Sequence, residues 1–123
     1  MIEKQQKIKN EEKAILVGLV QKDQTQEQVN EYLDELAFLA ETAGAITVRR
    51  FTQKMPHPDS KTFVGKGKLA EIKEYVVNKG VELIIFDDEL TGSQIANIQK
   101  ELAITTLDRS DLILDIFARR ART

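Results

Sequence analysis

Apolar residues in this chain fall into two kinds of block. Two runs are apolar at nearly every position: Ala14–Val20, reading AILVGLV, and Leu83–Phe86 within ELIIFDDEL. Short unbroken runs of this sort suit strands buried on both faces. Gly18, inside the first, marks a close approach by a helix. The second kind recurs at the helical period. Val29, Tyr32, Leu33, Leu36, Ala40 and Ala43 form one stripe, opposite Glu27, Glu31, Asp34, Glu35 and Glu41. Thr25 and Gln28 have capping-box spacing at its start, and Gly44 is placed to end it. Leu69, Ile72 and Val76 define a second helix that stops at Gly80. Thr91 and Gln94 open a third, with Ile95, Ile98 and Leu102 inward. Asp108 is placed to N-cap a fourth, whose apolar face is Leu112 or Ile113, Ile116 and Phe117. Ala45–Thr52 and Ile104–Leu107 read as further strands.

The resulting order, β-α-β-loop-α-β-α-β-α, predicts an α/β fold with a four-stranded parallel sheet. Right-handed crossovers, with the two most apolar strands central, give the strand order 2-1-3-4 and two helices on each face. The helices after the first and fourth strands share one face, and the other two share the opposite one. Met1–Glu12 reads as a frayed tail or short exposed helix, so residues 1–13 are expected as a polar tail and 14–123 as the α/β domain. Gln53–Lys68 is a long connection in which Pro56 and Pro58 forbid regular structure, with Thr62–Val64 as a short extended piece.

The chain has 123 residues, enough for one domain and one core. It has no cysteine, which excludes disulfides, thiolate metal sites and thiol nucleophiles, and its single histidine, His57, excludes a histidine metal cluster. No Ser-His-Asp set can be assembled. A net charge of −2 gives no global attraction to nucleic acid, so such a partner must meet a local patch. The polar start lacks the apolar core of a signal peptide, and no run reaches membrane-spanning length. A cytoplasmic protein without a membrane partner is expected.

Three stretches carry candidate chemistry. From Arg49 to Lys68, the cations Arg49, Arg50, Lys54, Lys61, Lys66 and Lys68 face only Asp59. Gly65-Lys66-Gly67-Lys68 precedes a helix, where backbone N–H groups, the helix dipole and two lysines suit phosphate; equally, the glycines simply permit a turn. The string is not GxxxxGK[ST], and no such string occurs here, so the chain has no visible P-loop for hydrolysing GTP or ATP. Asp87, Asp88 and Glu89 close the ELIIF strand. They suit Mg²⁺ or acid–base work, or else cap the next helix or pair with Arg109 or a lysine. Finally, Arg109, Arg119, Arg120 and Arg122 border the apolar face of the last helix, as a basic helix end or as contacts to RNA phosphates or a following domain. The abrupt stop at Thr123 is that expected of a piece of a longer polypeptide.

The strings AILVGLV, LAETAGAITVRRFTQK, PHPDSKTFVGKGKLAEI, IIFDDELTGSQIANIQK and LDRSDLILDIFARRART occur in one order. In that order they resemble the N-terminal domain of the HflX family of ribosome-associated GTPases. The resemblance runs from Ala14 to Thr123. It implies a domain that meets large-subunit rRNA and takes part in ribosome splitting or rescue without catalysis of its own. GTP and Mg²⁺ would belong to a later P-loop domain, with no cofactor in this portion. The resemblance carries over Gly65–Lys68 as the loop opening the second helix, Asp87–Glu89 as the acidic strand end, and Arg109, Arg119, Arg120 and Arg122 as the basic helix. Where the family often has Thr-Gly, this chain has Ser110-Asp111, whose acid weakens any phosphate contact there. Two alternatives stand beside this expectation. One is a nucleotide-binding domain using Gly65–Lys68 for phosphate and Asp87 with Asp88 for Mg²⁺. The other is an intramolecular regulator of a following GTPase domain.

Overall fold

The computed structural model describes residues 7–121, with side chains described through residue 118. Eight elements alternate: β1 (Lys13–Val20), α1 (Gln26–Thr42), β2 (Ile46–Lys54), α2 (Lys66–Lys79), β3 (Leu83–Phe86), α3 (Gly92–Leu102), β4 (Thr105–Asp108) and α4 (Arg109–Ala121). The sheet order is β2-β1-β3-β4, with every neighbouring pair parallel. The expected architecture is the observed one.

Two cores, one on each face, explain why the central strands are apolar throughout. Ala14, Leu16, Leu83 and Ile85 pack with Val29, Leu33 and Leu36 of α1 and Leu112 of α4. Ile15, Val17, Ile84 and Phe86 pack with Leu69, Ile72 and Val76 of α2 and Ile98 of α3. A Cβ on Gly18 would lie 3.1 Å from Val29 Cγ1 and 3.4 Å from Leu33, so glycine lets α1 close onto β1. Both capping boxes form, with Thr25 and Gln28 opening α1 and Thr91 and Gln94 opening α3. Asp108 caps α4 reciprocally: its Oδ1 accepts from Asp111 N–H at 2.9 Å, and Asp111 Oδ2 accepts from Asp108 N–H at 3.1 Å. Gly80 ends α2 at φ 65°, a left-handed conformation that glycine adopts without strain.

Four expectations are corrected. Ile8 is not part of an exposed tail. It is fully buried in the α1–α4 core, and the N–H groups of Lys7 and Ile8 donate to the buried Asp115 carboxylate. β2 runs to Lys54, two residues past Thr52, because as an edge strand it tolerates polar Gln53 and Lys54 while pairing with Leu19 and Val20. α2 begins at Lys66, so Lys66, Gly67 and Lys68 form its first turn rather than a preceding loop. On α4, Leu112 and Asp115 face inward, while Ile113, Leu114 and Phe117 are exposed.

Candidate nucleic-acid interface

The carboxyl ends of the strands carry most of the candidate residues, and they divide into two regions. The first lies where β1 and β3 are neighbours and the chain turns in opposite directions, the place where open α/β sheets tend to bind ligands. A shallow cavity of about 310 Å³ there is lined by Gln24, Tyr32, Glu35, Asp87, Asp88, Glu89 and Arg109. Arg109 Nε donates to Asp87 Oδ1 at 2.9 Å, its Nη2 reaches the same oxygen, and Nη1 donates to Glu35 Oε1 at 3.3 Å. Burial pushes the Asp87 carboxyl above its ordinary 3.8, and Arg109 offsets only part of that rise. Burial also opposes the charge on Arg109, but the hydrogen bond and charge of Asp87, then of Glu35, outweigh it and raise its pKa. The next two acids are engaged as well. Asp88 Oδ1 accepts from Glu89 N–H at 2.7 Å and Oδ2 from Gln21 Nε2 at 3.1 Å. Glu89 Oε2 accepts from Ser110 Oγ at 2.8 Å.

Asp87, Asp88 and Glu89 therefore turn to three different partners. Among the described residues no group of three His, Asp or Glu side chains is placed to hold a metal ion. Of the readings open for this triplet, pairing with Arg109 is the one the geometry shows for Asp87. Each of the three acids is already engaged within the fold, and the arginine that lines the cavity is paired with Asp87 and Glu35.

The second region spans the ends of β1 and β2 and the start of α2. The link from β2 to α2 is ordered by its own polar groups. Asp59 Oδ1 accepts from the N–H groups of Lys61 at 2.8 Å and Thr62 at 3.1 Å. These backbone bonds, to Lys61 and then Thr62, hold the Asp59 carboxyl below its ordinary value. A single antiparallel bridge joins Asp59 and Phe63, the reduced form of the extended piece expected there. Buried Gln94 ties this link to α3, its Nε2 donating to Asp59 O at 2.7 Å while its Oε1 caps Thr91 N–H at 2.8 Å. At the start of α2, Gly65 N–H donates to Gln53 Oε1 at 3.0 Å, and a Cβ on Gly65 would come within 3.2 Å of Gln53 Nε2. Gly67 faces open space.

Half of the cations expected as one patch are engaged in ion pairs, Arg49 and Lys68 sharing one acid. Arg50 pairs with Asp34 at 2.7 Å on the α1 face, while Arg49 pairs with Glu71 at 3.8 Å on the α2 face. Lys68 turns back to Glu71 at 3.0 Å. Among the described residues, the exposed ammonium groups of Lys54 and Lys66 have no partner, and that of Lys61 is in no ion pair but lies near enough to Asp59 for its charge to help lower that carboxyl's pKa. Lys22, two residues past the end of β1, joins them; with Lys54 it lines a depression of about 300 Å³ that includes Met55 and Pro56. Lys22 was absent from the candidates because it stands outside the Arg49–Lys68 cluster. Its position just past the end of β1 is the signal that places it at the same edge. Arg109 lies in the first region. The side chains of Arg119 and Arg120, and Arg122 altogether, lie outside the described residues.

A family model described as GTP-binding GTPase N-terminal matches residues 30–118. The chain is 55% identical over 114 residues to the GTPase HflX of Flavobacterium psychrophilum, covering 93% of this chain and 28% of that protein. The chain belongs to the HflX family. The Escherichia coli GTPase HflX is 41% identical over 114 residues, with 91% of this chain and 26% of that protein covered. The chain thus spans 28% and 26% of the length of these two curated HflX relatives. Among solved structures, an SsGBP–GDP complex superposes with a TM-score of 0.69 at 25% identity, covering 91% of this chain and 30% of that one. The C-terminal catalytic domain of the ISC1926 TnpA serine recombinase shares the fold alone, with a TM-score of 0.54 at 16% identity over 87% of this chain and 79% of that one. No described helix is long and apolar enough to cross a membrane.

Proposed function

We propose that this HflX domain is an RNA-contacting module that docks a cytoplasmic GTP-binding protein on the large ribosomal subunit, in ribosome splitting or rescue. In this reading it performs no catalysis itself, and GTP and Mg²⁺ are handled by a P-loop domain elsewhere in the whole protein. One observation carries the proposal: among the described residues, Lys22, Lys54 and Lys66, at the ends of β1 and β2 and the start of α2, are exposed and without a protein partner, and Lys61 on the intervening link is exposed and in no ion pair, in a chain whose net charge is −2. Ammonium groups without protein partners are available to phosphates, and each contact releases counterions. Sedimentation of the domain with purified large subunits across a salt series tests this. Four phosphate contacts predict a log–log slope of roughly −3, taking about 0.7 per contact as for single strands. Changing all four lysines to glutamate should abolish co-sedimentation; a flat salt response or an unaffected variant would refute the proposal.

A second reading, restraint of a following GTPase domain, has its own support. Leu114 and Phe117 on α4 are 59% and 61% exposed, more than a solvated helix needs. GTP turnover by the whole protein with Leu114 and Phe117 changed to serine tests it. Altered turnover without the ribosome favours restraint, and unchanged turnover removes it.

A further inference from the structure

The lysine edge accounts for phosphates but not for recognition of bases, and the adjacent α2 face of β2 holds a group suited to that. Arg49 Cζ lies 4.3 Å from the centroid of Phe51 and 4.9 Å from that of Tyr75. The two rings meet edge to face at 5.7 Å and 78°, forming a rigid floor beneath the guanidinium. Glu71 lies beside Arg49, its Oε2 3.8 Å from Nη2, and pairs with Lys68 at 3.0 Å through Oε1. Even so, the Arg49 side chain keeps 45% of its surface exposed.

An arginine tethered only by charge would be free to swing. This one rests against two aromatic rings with an acid beside it and stays half open to solvent, which limits its motion and lowers the entropic cost of presenting the guanidinium. Unpaired RNA bases stack on such guanidinium planes, whereas bases within a duplex are covered by their neighbours. Lys54 points to the opposite face of β2, but the first turn of α2, with Lys66 and Lys68, lies on the Arg49 side, and Lys68 shares Glu71 with Arg49. A strand whose phosphates follow the lysines at the start of α2 therefore passes within reach of Arg49.

We infer that Arg49, seated on Phe51 and Tyr75, is a stacking platform for an unpaired nucleotide, so that this face selects single-stranded over double-stranded RNA. The inference rests on the RNA-docking reading above and adds to it the form of the RNA. The probes are a fluorescent single-stranded oligoadenylate and a blunt RNA duplex, titrated by anisotropy against the wild-type domain and the Arg49→Lys variant. Arg49→Lys keeps the charge and the pairing with Glu71 but removes the plane. It should weaken oligoadenylate binding on the order of tenfold while leaving duplex binding unchanged. A 2-aminopurine in the oligomer should be quenched by the wild type and not by the variant. Equal effects on both probes, or none on either, would overturn the platform while leaving the lysine edge standing. Failure of the wild type to bind either RNA would overturn both readings. A melting temperature unchanged in Arg49→Lys excludes misfolding as the cause of a loss.

Discussion

The two regions at the strand tips look alike in sequence, each a knot of charges beside a helix start, yet they are opposite physical objects. Near β3 and β4, Arg109 is spent on Asp87 and Glu35, and every acid of the Asp87–Glu89 triplet has a partner within the fold. Near β1 and β2, Lys22, Lys54 and Lys66 have none among the described residues, and Lys61 has only the charge of Asp59 nearby. Charge is available to an outside partner only after the fold has taken what it uses. The first region is a joint between α1, β3 and α4, and the second is a surface.

If the first region is a joint, breaking it must cost stability. Arg109→Met leaves Asp87 without its cation, and urea unfolding should show a loss of roughly 2–3 kcal/mol, below the 3–5 typical of fully buried pairs because Arg109 is partly exposed. A loss under about 0.5 kcal/mol, the range of featureless surface positions, would erase the contrast between the two regions.

The acids of the two regions should titrate in opposite directions. By carboxyl NMR, Asp87 should titrate above 3.8 and Asp59 below it. Folding raises the Asp87 pKa, so its destabilising contribution is absent when it is protonated. That contribution grows as pH rises from 3.8 through the native value, then stays constant. Folding lowers the Asp59 pKa, so its stabilising contribution is full above 3.8 and is lost as pH falls through the native value. In Arg109→Met, Asp87 should move still higher while Asp59 stays put. A matching direction for the two acids in the wild type would contradict the comparison.

The smallest effect belongs to exposed charges. Arg50→Ala breaks a surface pair with Asp34 and should cost about 0–1 kcal/mol. Changing any one of Lys22, Lys54, Lys61 and Lys66 to glutamate should alter stability by no more than about 0.5 kcal/mol. A larger loss at one of those lysines would reveal a structural partner and remove it from the surface set.

The topology was legible because its determinants are local. Continuous apolar runs marked the central strands, Thr25–Gln28, Thr91–Gln94 and Asp108 marked helix starts, and Gly18 marked the contact between β1 and α1. Ile8 was not legible, since one isoleucine among polar residues has no period, and the core that buries it and the Asp115 carboxylate that takes its N–H come from distant parts of the chain. The turn at Ala103, with φ 58°, lacks the glycine that would have announced it. The candidate interface was legible as a cluster of cations but not as a set of free ones. Arg49, Arg50 and Lys68 lie in the same stretch as Lys54, Lys61 and Lys66. Their difference comes from Asp34 and Glu71, brought alongside by α1 and α2.

Lysine acetylation footprinting of the domain, alone and bound to large ribosomal subunits, tests the central claim most directly. Lys22, Lys54, Lys61 and Lys66 should lose reactivity on binding, while Lys13, Lys79 and Lys100, at the amino ends of the strands, should keep it. Protection of the latter three with the former four still reactive would place the ribosome on the wrong end of the sheet and contradict the account.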